Sequence, residues 1–95
     1  MSVSYTEIEK FIRDELAAIT GAAANTINAD TVLIGQNRVV DSADLVVLLL
    51  AVEEFAQDRL SFDWNWMSDS AMSEARSVLR NVGSLARHLT ELQPA

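Results

Sequence analysis

From Leu45 to Val52 the chain runs through eight consecutive apolar residues, with Asp41 and Asp44 before the run and Glu53 and Glu54 after it. The run is far short of the roughly 20 residues that span a bilayer, so it has to be the central helix of a folded domain. Asp41 is placed to cap that helix, because its carboxylate can accept from the unpaired amides of the first turn, and Asp44 adds a second negative charge at the positive end of the dipole. Ser42 then stands at the mouth of the helix. A phosphate ester on its hydroxyl would meet unpaired amides and the positive end of the macrodipole.

The helix is expected from Ser42 to about Asp58. At 3.6 residues per turn, Leu45, Leu48, Leu49, Val52 and Ala56 form one stripe and should face the core, while Val46, Val47 and Leu50 fall on another side. Two outcomes are open for those three. The preceding loop covers them, or they stay exposed and mark a binding surface.

At 95 residues the chain, read as one domain over 1–95, can build a single small core. Apolar residues make up 49% of it and Gly plus Pro only four positions, which favours an all-α fold over a turn-rich sandwich or a disordered tail. Without Cys there are no disulfides or thiolate metal sites, and a lone His, His88, has no partner acid or nucleophile at a recognisable spacing and reads as a surface residue. No secretory leader pattern precedes the first helix, so the expectation is a cytoplasmic chain with no membrane span. The formal net charge is −7, with six acids against one Arg in residues 41–63 and three Arg against one Glu in residues 76–95. That balance argues against a nucleic-acid partner and for a basic protein surface as the complement of the acidic segment.

Elsewhere the pattern is helical. Ser4 and Glu7 fit a capping box, Ile8, Phe11, Ile12, Leu16 and Ile19 follow at spacings of three and four, and Gly21 can close a helix over 5–20. Residues 21–40 form a long connection anchored by Ile27, Val32, Leu33 and Ile34, expected to cross the bundle. In residues 60–66, Leu60, Phe62, Trp64 and Trp66 alternate with polar residues, which predicts an extended link whose aromatics dock on the bundle. A short helix is expected over about 69–75, with an extension towards Leu79 left open. A final one over 82–92 is capped by Asn81, carries Val82, Leu85, Leu89 and Leu92 at helical spacing, and has Pro94 beyond its end.

The Asp41-Ser42 pair, the apolar helix after it and the closing Glu53-Glu54-Phe55 resemble the modification site of acyl carrier and peptidyl carrier proteins, whose Asp-Ser-Leu or Asp-Ser-Met motif carries 4'-phosphopantetheine. The order of helix, long loop, Asp-Ser helix, short helix and final helix extends the resemblance over essentially the whole chain. It implies a small four-helix bundle of acyl-carrier type with a long loop between helices one and two, in a free-standing, monomeric protein. It also implies that Ser42 bears the arm, making the chain a phosphoprotein, and that an acyl or aminoacyl group rides on it as a thioester in a biosynthetic pathway. The chain itself is then not an enzyme. A phosphopantetheinyl transferase installs the arm, a loading ligase charges it and downstream transferases unload it. Such partners would dock against Asp41, Asp44, Glu53, Glu54 and Asp58 around an apolar contact from Val46, Val47 or Leu50.

Ala43 stands where the family usually has Leu or Met, Val47 where fatty-acid carriers are commonly acidic, and Val39-Val40 where a glycine-containing approach is frequent. These departures point away from housekeeping fatty-acid synthesis, towards carriers dedicated to D-alanine or to specialised natural-product and cell-surface pathways. On this resemblance Trp64 and Trp66 either fill the core or wall a pocket for the attached group. A rival reading keeps the bundle but leaves Ser42 unmodified, with the apolar patch binding a protein partner. An enzyme using Ser42 as nucleophile lacks a base and an oxyanion-stabilising motif.

Overall fold

The computed structural model describes residues 3–67, 73 and 76–93, and these form a helical protein. Helix α1 spans Tyr5–Thr20, α2 spans Ser42–Phe55 and α3 spans Val82–Leu92. Most of the short helix expected over 69–75 lies outside the described residues; of that region, residues 73 and 76–78 are helical.

Helix α1 starts where Ser4 Oγ accepts from the Glu7 amide and stops at Gly21, whose left-handed conformation (φ 74°) returns its amide to Ala17 O. Only the Ser4 half of the expected capping box forms: the Glu7 carboxylate does not bond back to the Ser4 amide and instead faces Arg59 at 3.9 Å. Ile8, Ile12 and Leu16 are fully buried, and Phe11 and Ile19 pack half-buried at the edge of the same cluster. The Phe11 and Phe55 rings stack at 4.1 Å, and with Glu7 beside Arg59 the pairing shows α1 and α2 running antiparallel.

In α2 the expected stripe is largely realised: Leu48, Leu49, Val52 and Ala56 are buried and Leu45 packs half-buried against them. The α-helix ends at Phe55, earlier than expected, and continues as a π-helical turn over Ala56–Leu60. Val52, Ala56 and Leu60 recur every four residues, and four residues overshoot an α-helical turn. The wider π turn takes back part of that drift, so Leu60 lands on the core, only 2% exposed. Ser61 in the left-handed region (φ 62°) closes the turn.

The chain then alternates as its sequence indicates. Leu60 and Trp64 are buried and Phe62 and Trp66 half-buried, while Ser61, Asp63 and Asn65 face solvent. Trp66 Nε1 donates to Glu53 Oε1 at 3.0 Å and ties the link back to α2. Changing Trp66 to Phe keeps an aromatic ring, though a smaller one, and removes that bond; a loss of about 1 to 2 kcal/mol is expected in urea unfolding, with the larger figure if Glu53 is left short of a partner.

Residues 21–40 contain a 3-10 turn at Ala24–Thr26 and bury Ile27, Leu33 and Val40, with Val32 and Ile34 half-buried. The backbone of this connection is stitched to the start of α3: Leu33 N donates to Arg80 O, Val82 N to Thr31 O and Gly83 N to Ala29 O, and Val32 bridges Asn81. Helix α3 opens with a capping box that the sequence reading did not anticipate, in which Asn81 Oδ1 accepts from Ser84 N while Ser84 Oγ accepts from Asn81 N. Val82, Leu85, Ala86 and Leu89 are fully buried, but Leu92 is 45% exposed, because the helix has run past the core by its last turn. There Gln93 clasps Val3 by two hydrogen bonds of 2.8 and 2.6 Å.

Gly83 is the tightest point of the stitching. A Cβ at that position would lie 3.1 Å from Tyr5 Oη and 3.2 Å from both Ala29 Cβ and Ala29 O. Gly83→Val is therefore expected to lower unfolding free energy by about 1 to 3 kcal/mol, since the Ala29 backbone cannot yield without breaking its bond from the Gly83 amide. Urea denaturation would measure it.

Candidate functional site at the mouth of the second helix

Val40 is buried and anchors the approach, after which Asp41, Ser42 and Ala43 all emerge into solvent. Asp41 is extended (φ −85°, ψ −179°) and its Oδ1 accepts from the Asp44 amide at 2.8 Å. The acid before the serine is thus committed to capping. Ser42 occupies the first helical position, and among the described residues its exposed hydroxyl has no hydrogen-bond partner. It is exposed, and among the described residues no side-chain base is hydrogen-bonded to it.

Along α2 from this point, Val46 is 44%, Val47 52% and Leu50 50% exposed, and Val39, on the loop before the serine, is 46% exposed. The connection over 21–40 leaves them uncovered, and its long-range backbone hydrogen bonds go to the start of α3. Burying a Val or Leu side chain is worth about 1.5 to 3 kcal/mol, so half-exposed side chains in a row leave an unused driving force for association. Asp41, Glu54 and Asp58 are exposed around the strip and Asp44 is half-exposed. Glu53, grouped with them on sequence, is half-buried and engaged by Trp66.

A depression of about 510 Å³ lies elsewhere, between Tyr5, Asp30, Arg80, Gly83, Arg87 and His88. It does not include Ser42, and it mixes charges of both signs with apolar side chains such as Ala29 and Val78. Burial, then the neighbouring Glu9, raises the Tyr5 hydroxyl pKa above its ordinary value. His88, expected at the surface, is half-buried along this rim. At Ser42, by contrast, exposure, an uncommitted hydroxyl and an apolar strip converge.

Among the described residues no cluster of three or more His, Asp or Glu could hold a metal ion, and no helix is long and apolar enough to cross a membrane. The Trp66–Glu53 bond joins two elements and has no local signature in the sequence, whereas Arg38 does have one: it is the only basic side chain between Arg13 and Arg59. A scan of family models, a search of curated proteins and a search of solved structures each find no match to the chain.

Proposed function

We propose that the chain is a carrier protein of the acyl-carrier type, bearing 4'-phosphopantetheine on Ser42 and presenting an acyl or aminoacyl group to separate enzymes. The observation that carries this reading is the exposed, uncommitted hydroxyl of Ser42 at the first position of an apolar helix capped by Asp41. The residues fit the group. The side chain that could have blocked the serine, Asp41, is turned onto the Asp44 amide, and the helix mouth favours an attached anion. When bound, the arm supplies a flexible tether ending in a thiol that holds cargo as a thioester. The polypeptide's part is to display the serine, keep Val46, Val47 and Leu50 available to apolar partner surfaces, and rim them with Asp41, Asp44, Glu54 and Asp58.

Incubation with coenzyme A and a broad-specificity phosphopantetheinyl transferase should raise the intact mass by one arm. An unchanged mass would favour the second reading, an unmodified helical module that binds a protein partner through the same exposed strip. Because the rim is acidic, the initial rate of arm transfer should fall with added salt, and Asp44→Arg should slow it about tenfold or more, mainly through encounter and orientation. The fold should survive that change, since an acid in the first turn contributes only about 0.3 to 1 kcal/mol. A salt-independent rate together with an unimpaired Asp44→Arg protein would remove the acidic rim from the docking surface.

A further inference from the structure

Residues 35–41 wrap a shallow depression of about 390 Å³ that ends at Asp41, the residue before Ser42. Its shape is set by the backbone: Gly35 (φ 88°) and Asn37 (φ 65°) both take left-handed conformations, which glycine and asparagine tolerate best. The far end is held by the Val39 amide donating to Val32 O at 3.0 Å and by the buried Val40 side chain. The loop is therefore preformed.

Arg38 lines this depression and is exposed. Its guanidinium makes one long hydrogen bond, Nη1 to Gly35 O at 3.4 Å, and among the described residues it has no ion pair, although Asp41 and Asp44 follow within six positions. A phosphodiester on Ser42 would bring a third negative charge to a helix mouth that already holds those two acids. Arg38 is the only fixed cation on this stretch of chain, and a guanidinium is suited to phosphate oxygens by its planar fork of donors.

We propose that Arg38 and the depression over 35–41 seat the phosphodiester and the first part of the arm, laying it along the loop and away from α2. This inference rests on the carrier reading of Ser42. Its consequence is a division of the surface: the arm occupies the loop side of the serine, and Val46, Val47 and Leu50 stay free for partners.

The test uses nitrogen-15-labelled chain converted to completion by excess transferase and coenzyme A, with completion read from intact mass. On conversion the amide resonances of Gln36, Asn37 and Arg38 and the Arg38 Nε resonance should move, beyond the local changes at 41–44. In R38Q, also driven to completion, the shifts at 36–38 should be lost while those at 41–44 persist. Complete conversion with shifts confined to 41–44, or running along Val46, Val47 and Leu50, would overturn the seat and leave the carrier reading standing. Shifts at 36–38 that survive in R38Q would overturn the role of Arg38. Failure of conversion would overturn the carrier reading itself, and the seat with it.

Discussion

Leu48→Ala is expected to cost about 2 to 5 kcal/mol of unfolding free energy, because the side chain is fully buried in the middle of α2 and a small core cannot collapse onto the vacated space. A chain of 95 residues has a total stability on the order of 5 to 14 kcal/mol, so this single change would remove a large fraction of it. Leu50→Ala, two positions along the same helix, starts from a side chain that is 50% exposed and should cost less than about 1 kcal/mol. Urea unfolding of the two variants side by side reads which face of α2 is core. Equal losses would contradict the orientation of the helix, and with it the exposed strip beside Ser42.

That orientation was only half legible in the sequence. The 3.6-residue period put Leu48, Leu49, Val52 and Ala56 on one stripe, and they are buried. It could not decide the fate of Val46, Val47 and Leu50, because α2 is apolar almost all round and periodicity carries little information in such a helix. What decided it was the path of residues 21–40, fixed by backbone bonds from Ala29, Thr31 and Leu33 to the start of α3. Backbone pairing between distant segments leaves no trace in local composition. The tightness at Gly83 and the Glu53–Trp66 bond were illegible for the same reason.

Local signals did better. The caps at Ser4, Asp41 and Asn81 were readable because a cap depends on one side chain and the amides that follow it. So was the alternation from Leu60 to Trp66, of which Trp64, only 6% exposed, is a core residue. The end of α2 was not, because a π turn is a response to what the core accepts from Leu60. At the site the sequence singled out Ser42 and its acidic surroundings; the availability of its hydroxyl emerged only when Asp41 was seen bonded to Asp44.

Ser42→Ala is expected to abolish arm transfer completely while leaving helical content and stability nearly unchanged. The two effects separate because Asp41, not Ser42, supplies the capping bond, and a helix-start serine that is not the cap contributes well under the roughly 1 kcal/mol a cap is worth. Other hydroxyls lack the setting: Ser84 Oγ is bonded within its capping box and to Val78 O, and Thr20 and Thr90 bond back to carbonyls four residues earlier. Residual modification of the Ser42→Ala protein would place the arm elsewhere.

The most direct test lies in a single tryptic fragment. Cleavage after Arg38 and Arg59 releases residues 39–59, in which Ser42 is the only hydroxyl-bearing residue. After treatment with coenzyme A and transferase, mass spectrometry of that fragment should show the mass of one phosphopantetheine added in the wild-type chain and none in Ser42→Ala. A wild-type fragment of unmodified mass, under conditions that modify a known carrier protein, would contradict the assignment of this chain as a carrier.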